Sequence, residues 1–180
     1  MIRVQKNKKN RKVGFTLLEM VLVIAIMMMM SFYLYSTFRT VNYSHLKVAV
    51  VNDMHDYASL TLKAIENNLC NATSIGDGTD IKLSDGGDYV LINEANALPG
   101  FTQYHTGNGS AKWGLTLKIT THPESKTVHV VLELTDRAYP SSGIAYTDEV
   151  TVYCPSCQAG NMAALSNADS CSFSNDPITT

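Results

Sequence analysis

One uncharged stretch constrains this chain more than any other feature. From Met20 to Phe38 run 19 consecutive residues, MVLVIAIMMMMSFYLYSTF, without an Asp, Glu, Lys or Arg. A helix of ~20 apolar residues, rising about 1.5 Å each, spans the ~30 Å hydrocarbon core of a bilayer. The flanks orient it. Residues 1–14 hold Arg3, Lys6, Lys8, Lys9, Arg11 and Lys12 and no acid, whereas only Arg39 and Lys47 follow closely. The positive-inside rule predicts an N-terminus in the cytoplasm and the rest of the chain across the membrane.

Charge then narrows the function classes. The net charge of −2 conceals an asymmetry, because residues 15–180 contain 8 basic and 16 acidic side chains, a formal −8. Such a body repels phosphate and argues against a nucleic-acid partner, although Lys112, Lys118 and Lys126 lie in one stretch. A hydrophobic content of 45% excludes a disordered polyelectrolyte.

Residues 15–38 carry one charge, Glu19. A cleaved secretory signal has a shorter apolar core and a small-residue site, while this run ends in Phe38-Arg39. A plain anchor gives no reason for a carboxylate there. Placed centrally in the bilayer it costs on the order of 2.5–3.5 kcal/mol, and at headgroup level little.

The segment Lys12-Val13-Gly14-Phe15-Thr16-Leu17-Leu18-Glu19-Met20 resembles the processing site of type IV prepilins and type II secretion pseudopilins. These have a basic leader ending in Gly, then Phe-Thr-Leu-Leu-Glu, then an unbroken apolar helix. The resemblance implies cleavage between Gly14 and Phe15 by a membrane prepilin peptidase, an aspartic protease, and N-methylation of Phe15. It implies that Glu19 serves filament assembly. The physics agrees: the new Phe15 amine and a carboxylate on a neighbouring subunit are each costly in lipid, and much less so as a pair. Implied partners are the peptidase, an inner-membrane assembly platform and other pilin subunits. The implied location is the inner membrane, with the head in the periplasm, and later the cell surface. The chain is expected to be a structural subunit rather than an enzyme. A minor pilin is favoured over a major one, with a type II secretion pseudopilin as the alternative. The 14-residue leader leans towards a pilus. Many pilins have a Pro about twenty-two residues into the mature chain, where this sequence has Ser36.

Beyond the apolar run the pattern becomes amphipathic. No Gly or Pro occurs from Phe15 to Ile75, which is compatible with one long helix over about 15–69. Val51, Met54, Ala58, Leu62, Ile65 and Leu69 fall on one helical face, with Asn52, Asp53, Asp56, Lys63, Glu66 and Asn67 largely off it. The run Met27 to Met30 reads as flexible apolar packing.

From about Asn71 turn residues take over, in Gly76-Asp77-Gly78 and Asp85-Gly86-Gly87-Asp88. Four strands are expected, at Tyr89–Ile92, Trp113–Thr121, Thr127–Thr135 and around Val150–Tyr153. The two central ones alternate apolar and polar residues at period 2. The predicted fold is α+β and pilin-like: a long N-terminal helix on a small antiparallel sheet. Its parts are a leader (1–14), a membrane or filament-core helix (15–38), an amphipathic continuation (39–69) and a globular head (70–180).

Four cysteines, Cys70, Cys154, Cys157 and Cys171, lie on the exported side, where disulfides are the default. Three pairings are open on the sequence alone. By analogy with pilins, whose C-terminal loop is commonly closed by a disulfide, Cys171 would join Cys154 or Cys157 and Cys70 would take the other. Cys154-Pro155-Ser156-Cys157 also matches a redox C-x-x-C or half of a zinc site, without the setting that either needs. No cofactor is expected. Asp77, Asp80, Asp85 and Asp88 give calcium weak support, since their spacing matches no EF-hand. The five histidines (45, 55, 105, 122 and 129) show no metal-ligand spacing. Asn42, Asn71 and Asn108 match N-x-[ST]. Phe101, Tyr104 and Trp113 read as core or rim packing ahead of a contact patch.

Overall fold

The computed structural model describes residues 16–101, 106–107, 110–137 and 143–175. Gly14, Phe15 and the leader lie outside the described residues, as do Tyr104, His105 and Asn108. The chain divides into two compact units between Leu46 and Lys47.

Helix α1 (Leu17–Leu69) is a single element of 53 residues that passes Ser36 without a break. In the first unit every described residue is exposed, including all four methionines of the run Met27 to Met30. Three of its hydroxyls bond to the helix itself. Ser31 donates to the Met27 carbonyl at 2.8 Å, Thr37 to Tyr33 at 2.9 Å and Thr40 to Ser36 at 3.0 Å. Internal satisfaction of this kind is what a segment without access to water requires.

In the second unit the same helix has a buried stripe of Met54, Tyr57, Ala58, Thr61, Leu62, Ile65 and Leu69. This is the face expected from the apolar spacing, widened by Tyr57 and Thr61. Val51 is half-buried, and Asn52, Asp53, Asp56, Lys63, Glu66 and Asn67 are exposed.

The stripe packs on two antiparallel sheets. Strands β1 (Ser74–Leu83), β2 (Val90–Ile92), β3 (Ala95–Asn96) and β9 (Ser170–Ser174) form the first, in the order β3-β2-β1-β9. Strands β4 (Thr106–Gly107) and β5 (Ser110–Ala111) form a two-stranded hairpin. Strands β6 (Trp113–His122), β7 (Thr127–Asp136) and β8 (Ala145–Tyr153) form a meander. Its first two strands pair without interruption from Trp113 opposite Asp136 to His122 opposite Thr127. The alternation read from the sequence is realised: Leu115, Leu117, Ile119, Val128, Val130, Leu132 and Leu134 are buried with the helical stripe in one core. Tyr57 joins Phe101 and Trp113 in that core, with ring centroids 5.5 and 5.8 Å away. Phe101 and Trp113 are therefore packing residues.

Three expectations are corrected. Gly76-Asp77-Gly78 is part of β1 instead of a turn. The pairing with β9 slips between Gly76 and Ile81, leaving a bulge. A Cβ on Gly78 would lie 2.5 Å from the Ser172 side chain, so glycine here permits close backbone approach, a common use of glycine in strands. Strand β8 begins at Ala145, five residues before Val150, because Asp148 stands half-buried at one of its inward positions, between the exposed Thr147 and Glu149, and disguises the alternation. The polar C-terminal region contributes β9, whose serines stand among half-buried neighbours. The turn after β1 is found where Asp85-Gly86-Gly87-Asp88 places it. Gly87 there takes φ +65°, and its carbonyl accepts from Leu115 N–H at 2.9 Å.

Candidate functional site

The start of α1 is built around Glu19. Its Oε2 accepts from the Thr16 N–H at 2.8 Å and the Thr16 hydroxyl at 3.0 Å, while the Glu19 N–H donates to Thr16 Oγ1 at 3.3 Å. This is a reciprocal capping box, in which residue N3 returns to satisfy the cap. It also sets a negative charge at the positive end of the helix dipole. Thr16 was not singled out as a site residue. The signal that finds it is T-x-x-E immediately before an apolar run.

Glu19 therefore has an intrachain partner and an exposed carboxylate. Beyond it the helix offers Leu17, Leu18 and every large apolar residue from Met20 to Phe38 to its surroundings, each more than two-fifths exposed. By length and composition α1 is apolar enough to cross a membrane. An apolar surface of this extent needs lipid or protein to cover it.

The cysteines converge on the end of β8. The structure carries them as thiols, with Cys154, Cys157 and Cys171 buried and Cys70 half-buried at the end of α1. Pro155 and Ser156 make a turn that brings the Cys157 N–H to the Cys154 carbonyl at 3.2 Å. Burial, followed by the neighbouring thiols of Cys157 and Cys70, pushes Cys154 up to about 11. Burial, followed by Asp80 and Cys154, pushes Cys171 up to about 12. Burial also raises Cys157. These shifts are opposite to those of a reactive C-x-x-C, whose thiolate is stabilised. Among the described residues no group of three or more His, Cys, Asp or Glu is placed to hold a metal ion.

Hydrogen bonds secure the loop over 158–170. Thr121, buried on β6, donates its hydroxyl to the Ala163 carbonyl and accepts from Leu165 N–H at 2.7 Å. Ala168 exchanges both backbone bonds with Ile119, at 2.7 and 2.9 Å. Thr121 looked like one polar residue on an alternating strand, and nothing local marks it as a clasp.

The acidic residues are dispersed among structural tasks. Asp80 accepts from Phe173 N–H at 3.0 Å, and Asp88 pairs with Arg137 at 2.6 Å. Asp77 and Asp85 are exposed. Arg137 also donates to the Gly86 carbonyl at 2.7 Å, holding the 84–88 turn. Lys118 is paired with Glu133 at 3.0 Å. His55 meets the Tyr146 hydroxyl at 2.6 Å, and His129 meets Thr151 at 3.1 Å. Asn42 and Asn71 are exposed.

Residues 9–35 match the family described as the Prokaryotic N-terminal methylation motif. That span includes Gly14, Phe15 and Glu19. No curated protein sequence matches the chain. Among solved structures the chain is similar to the PilB minor pilin from Streptococcus sanguinis, at 15% identity and a TM-score of 0.43. The match covers 71% of this chain and 35% of that one.

Proposed function

We propose that this chain is a structural subunit of a type IV pilus-like filament, made as a membrane-held precursor and used as a minor pilin. The observation that carries the reading is a coincidence. The methylation motif at residues 9–35 opens directly onto a 53-residue helix whose early part is apolar and wholly exposed.

In this reading the leader of residues 1–14 is removed between Gly14 and Phe15 by prepilin peptidase, and Phe15 is N-methylated. Residues 15–38 hold the subunit in the inner membrane until an assembly platform delivers it to other pilin subunits. Glu19 then neutralises the amine of a neighbour, and the apolar helices exchange lipid for each other. The head over 70–180 is the exported part. Ser36 in place of a helix-interrupting Pro supports a minor subunit, since α1 has no built-in break there.

In an oxidising compartment the four thiols lose two hydrogens per pair to a disulfide-class oxidant. Cys171 joins Cys154 or Cys157, and Cys70 takes the other. The electrostatic coupling of Cys154 to Cys70, Cys157 and Cys171 supports their proximity. Closing the loop over 158–170 stabilises by roughly 3 kcal/mol.

The experiment is mass spectrometry of filaments sheared from cells. A trace amount that persists through filament purification, with an N-terminal peptide starting at methylated Phe15, is the expected result. Abundance equal to the bulk filament protein would make it a major pilin. Processed chain found only in the envelope would favour the pseudopilin alternative. An unprocessed N-terminus would overturn the reading.

A further inference from the structure

The meander β6-β7-β8 has two edges of different kinds. The outer edge of β6 is engaged, because Leu115, Ile119 and Thr121 donate their N–H groups to the carbonyls of Gly87, Ala168 and Leu165. Among the described residues the outer edge of β8 has no neighbouring strand. In an antiparallel ladder, residues alternate between bonding one neighbour and facing away from it. The Cys154 N–H donates to the Lys126 carbonyl at 2.9 Å, and the Asp136 N–H to the Ile144 carbonyl at 3.1 Å. Ile144 and Cys154 bracket β8, so the even-numbered residues between them direct their backbone groups at β7. Ala145, Thr147, Glu149, Thr151 and Tyr153 direct theirs outward.

Among the described residues one of these outward N–H groups is taken, that of Glu149, by the Asp148 carboxylate at 3.0 Å. The strand contains no Pro and no Lys, and its nine consecutive pairs with β7 show no bulge, so that Asp148 and Glu149 are its one defence of an edge. The side chains on the outward-bonding positions are also strand formers, Thr147, Thr151 and Tyr153, and Tyr153 is 59% exposed.

Charge identifies the occupant. Asp148 and Glu149 are the only charged residues of β8. A second copy is disfavoured: two antiparallel β8 strands set their Glu149 carboxylates opposite or diagonal to one another, on chains that each carry a formal −8 after Gly14. Like charges across a strand pair are destabilising, and opposite charges contribute favourably. We propose that the outer edge of β8 is a strand-addition site for an extended segment of a partner protein that carries Lys or Arg opposite Glu149. Main-chain bonds at Thr147, Thr151 and Tyr153 supply the affinity, and the exposed Glu149, whose carboxylate lies 3.7 Å from His129 Nε2 on β7, supplies the selection.

The test uses the full chain in detergent micelles and two capped nine-residue peptides of alternating Thr and Val, one with a central Lys and one with a central Glu. Amide exchange is followed by NMR. In the free protein the amides of Thr147, Thr151 and Tyr153 exchange about tenfold or more faster than those of Tyr146, Val150 and Val152. The Lys peptide slows the three by about tenfold, and the Glu peptide binds about fivefold more weakly. Thr151→Pro removes an outward donor that β7 does not use, so Lys-peptide binding falls about tenfold with Trp113 emission unchanged. Glu149→Lys reverses the preference between peptides, which keeps the test sharp if the proline variant misfolds. Equal protection of odd and even amides in the free chain would overturn the proposal. So would the absence of slowing with either peptide, or a preference that Glu149→Lys leaves intact.

Discussion

Ile65→Ala tests whether the second part of α1 is an integral wall of the head. Ile65 is fully buried, on the stripe between Leu62 and Leu69, in the core that also holds the β6 and β7 residues. The truncation deletes three carbons, worth about 2.4 kcal/mol at ~0.8 kcal/mol per buried methylene. Incomplete collapse around the void raises the cost to about 3–4 kcal/mol, within the range for such substitutions. For a head of this size that lowers Tm by about 10–15 °C. The assay is built into the chain. Trp113 is the sole tryptophan, 5% exposed and edge-on to Tyr57, so its emission shifts to the red when the helix leaves the sheet. The matched control is Ile24→Ala, at a residue 51% exposed in the first unit, which should move the transition by under about 0.5 kcal/mol. A shift below about 3 °C for Ile65→Ala, or equal shifts for both variants, would refute the packing argument.

Glu19→Gln keeps an oxygen for the Thr16 cap and loses the charge, so helicity should hold while incorporation into sheared filaments falls by about tenfold or more. Quantitative immunoblotting checks this, and undiminished incorporation would remove Glu19 from assembly. Arg137→Met breaks the contacts to Asp88 and Gly86, both partly exposed, and should cost about 1 kcal/mol, with less difference from wild type in high salt. The thiols give a pH prediction. Cys154 and Cys171 are raised from an ordinary 9.0 to about 11 and about 12, so their protonated forms favour the folded state. Stability is full below pH 9, where folded and unfolded chains are both protonated, and is lost as pH rises towards 12, where unfolding releases protons. Denaturant titration of the reduced chain should show that decline and titration of the oxidised chain should not. Identical profiles would mean that these thiols are not buried as described.

Much of the architecture was legible because it rests on local periodicity. The stripe from Met54 to Leu69 and the alternation in β6 and β7 are dictated by burial on one face, and in the strands a one-residue slip would turn every apolar residue to the other face. What was missed rests on long-range partners. Nothing around Gly76 and Gly78 announces that Ser172, about a hundred residues later, needs the space that missing side chains leave. Thr121 is an ordinary strand residue until Ala163 and Leu165 arrive. The head cysteines were visible, but their convergence on Cys154 depends on where α1, β8 and β9 end. Thr16 is a different case, since its cap is encoded three residues from Glu19. The motif encodes together the charge of Glu19 and the geometry that holds it.

That geometry bears on how an assembly contact could work. Where a carboxylate at the start of an apolar helix is desolvated, local donors lower the cost, and Thr16 provides two hydrogen bonds. Both bonds go to Oε2, which leaves Oε1 without a partner among the described residues. Under the proposed assembly role, a neighbour's amine would add to the cap without displacing it, and assembly would gain the ion pair without first breaking the helix start. Glu19→Ala would remove both roles, whereas Glu19→Gln removes one. Thr16→Val with Glu19 intact removes the hydroxyl's share of the cap and retains the charge. If the charge carries assembly, filaments should tolerate Thr16→Val, at a cost of about 1 kcal/mol in helix stability, and fail with Glu19→Gln. The reverse ranking would mean that the helix start, and not the ion pair, is what assembly requires.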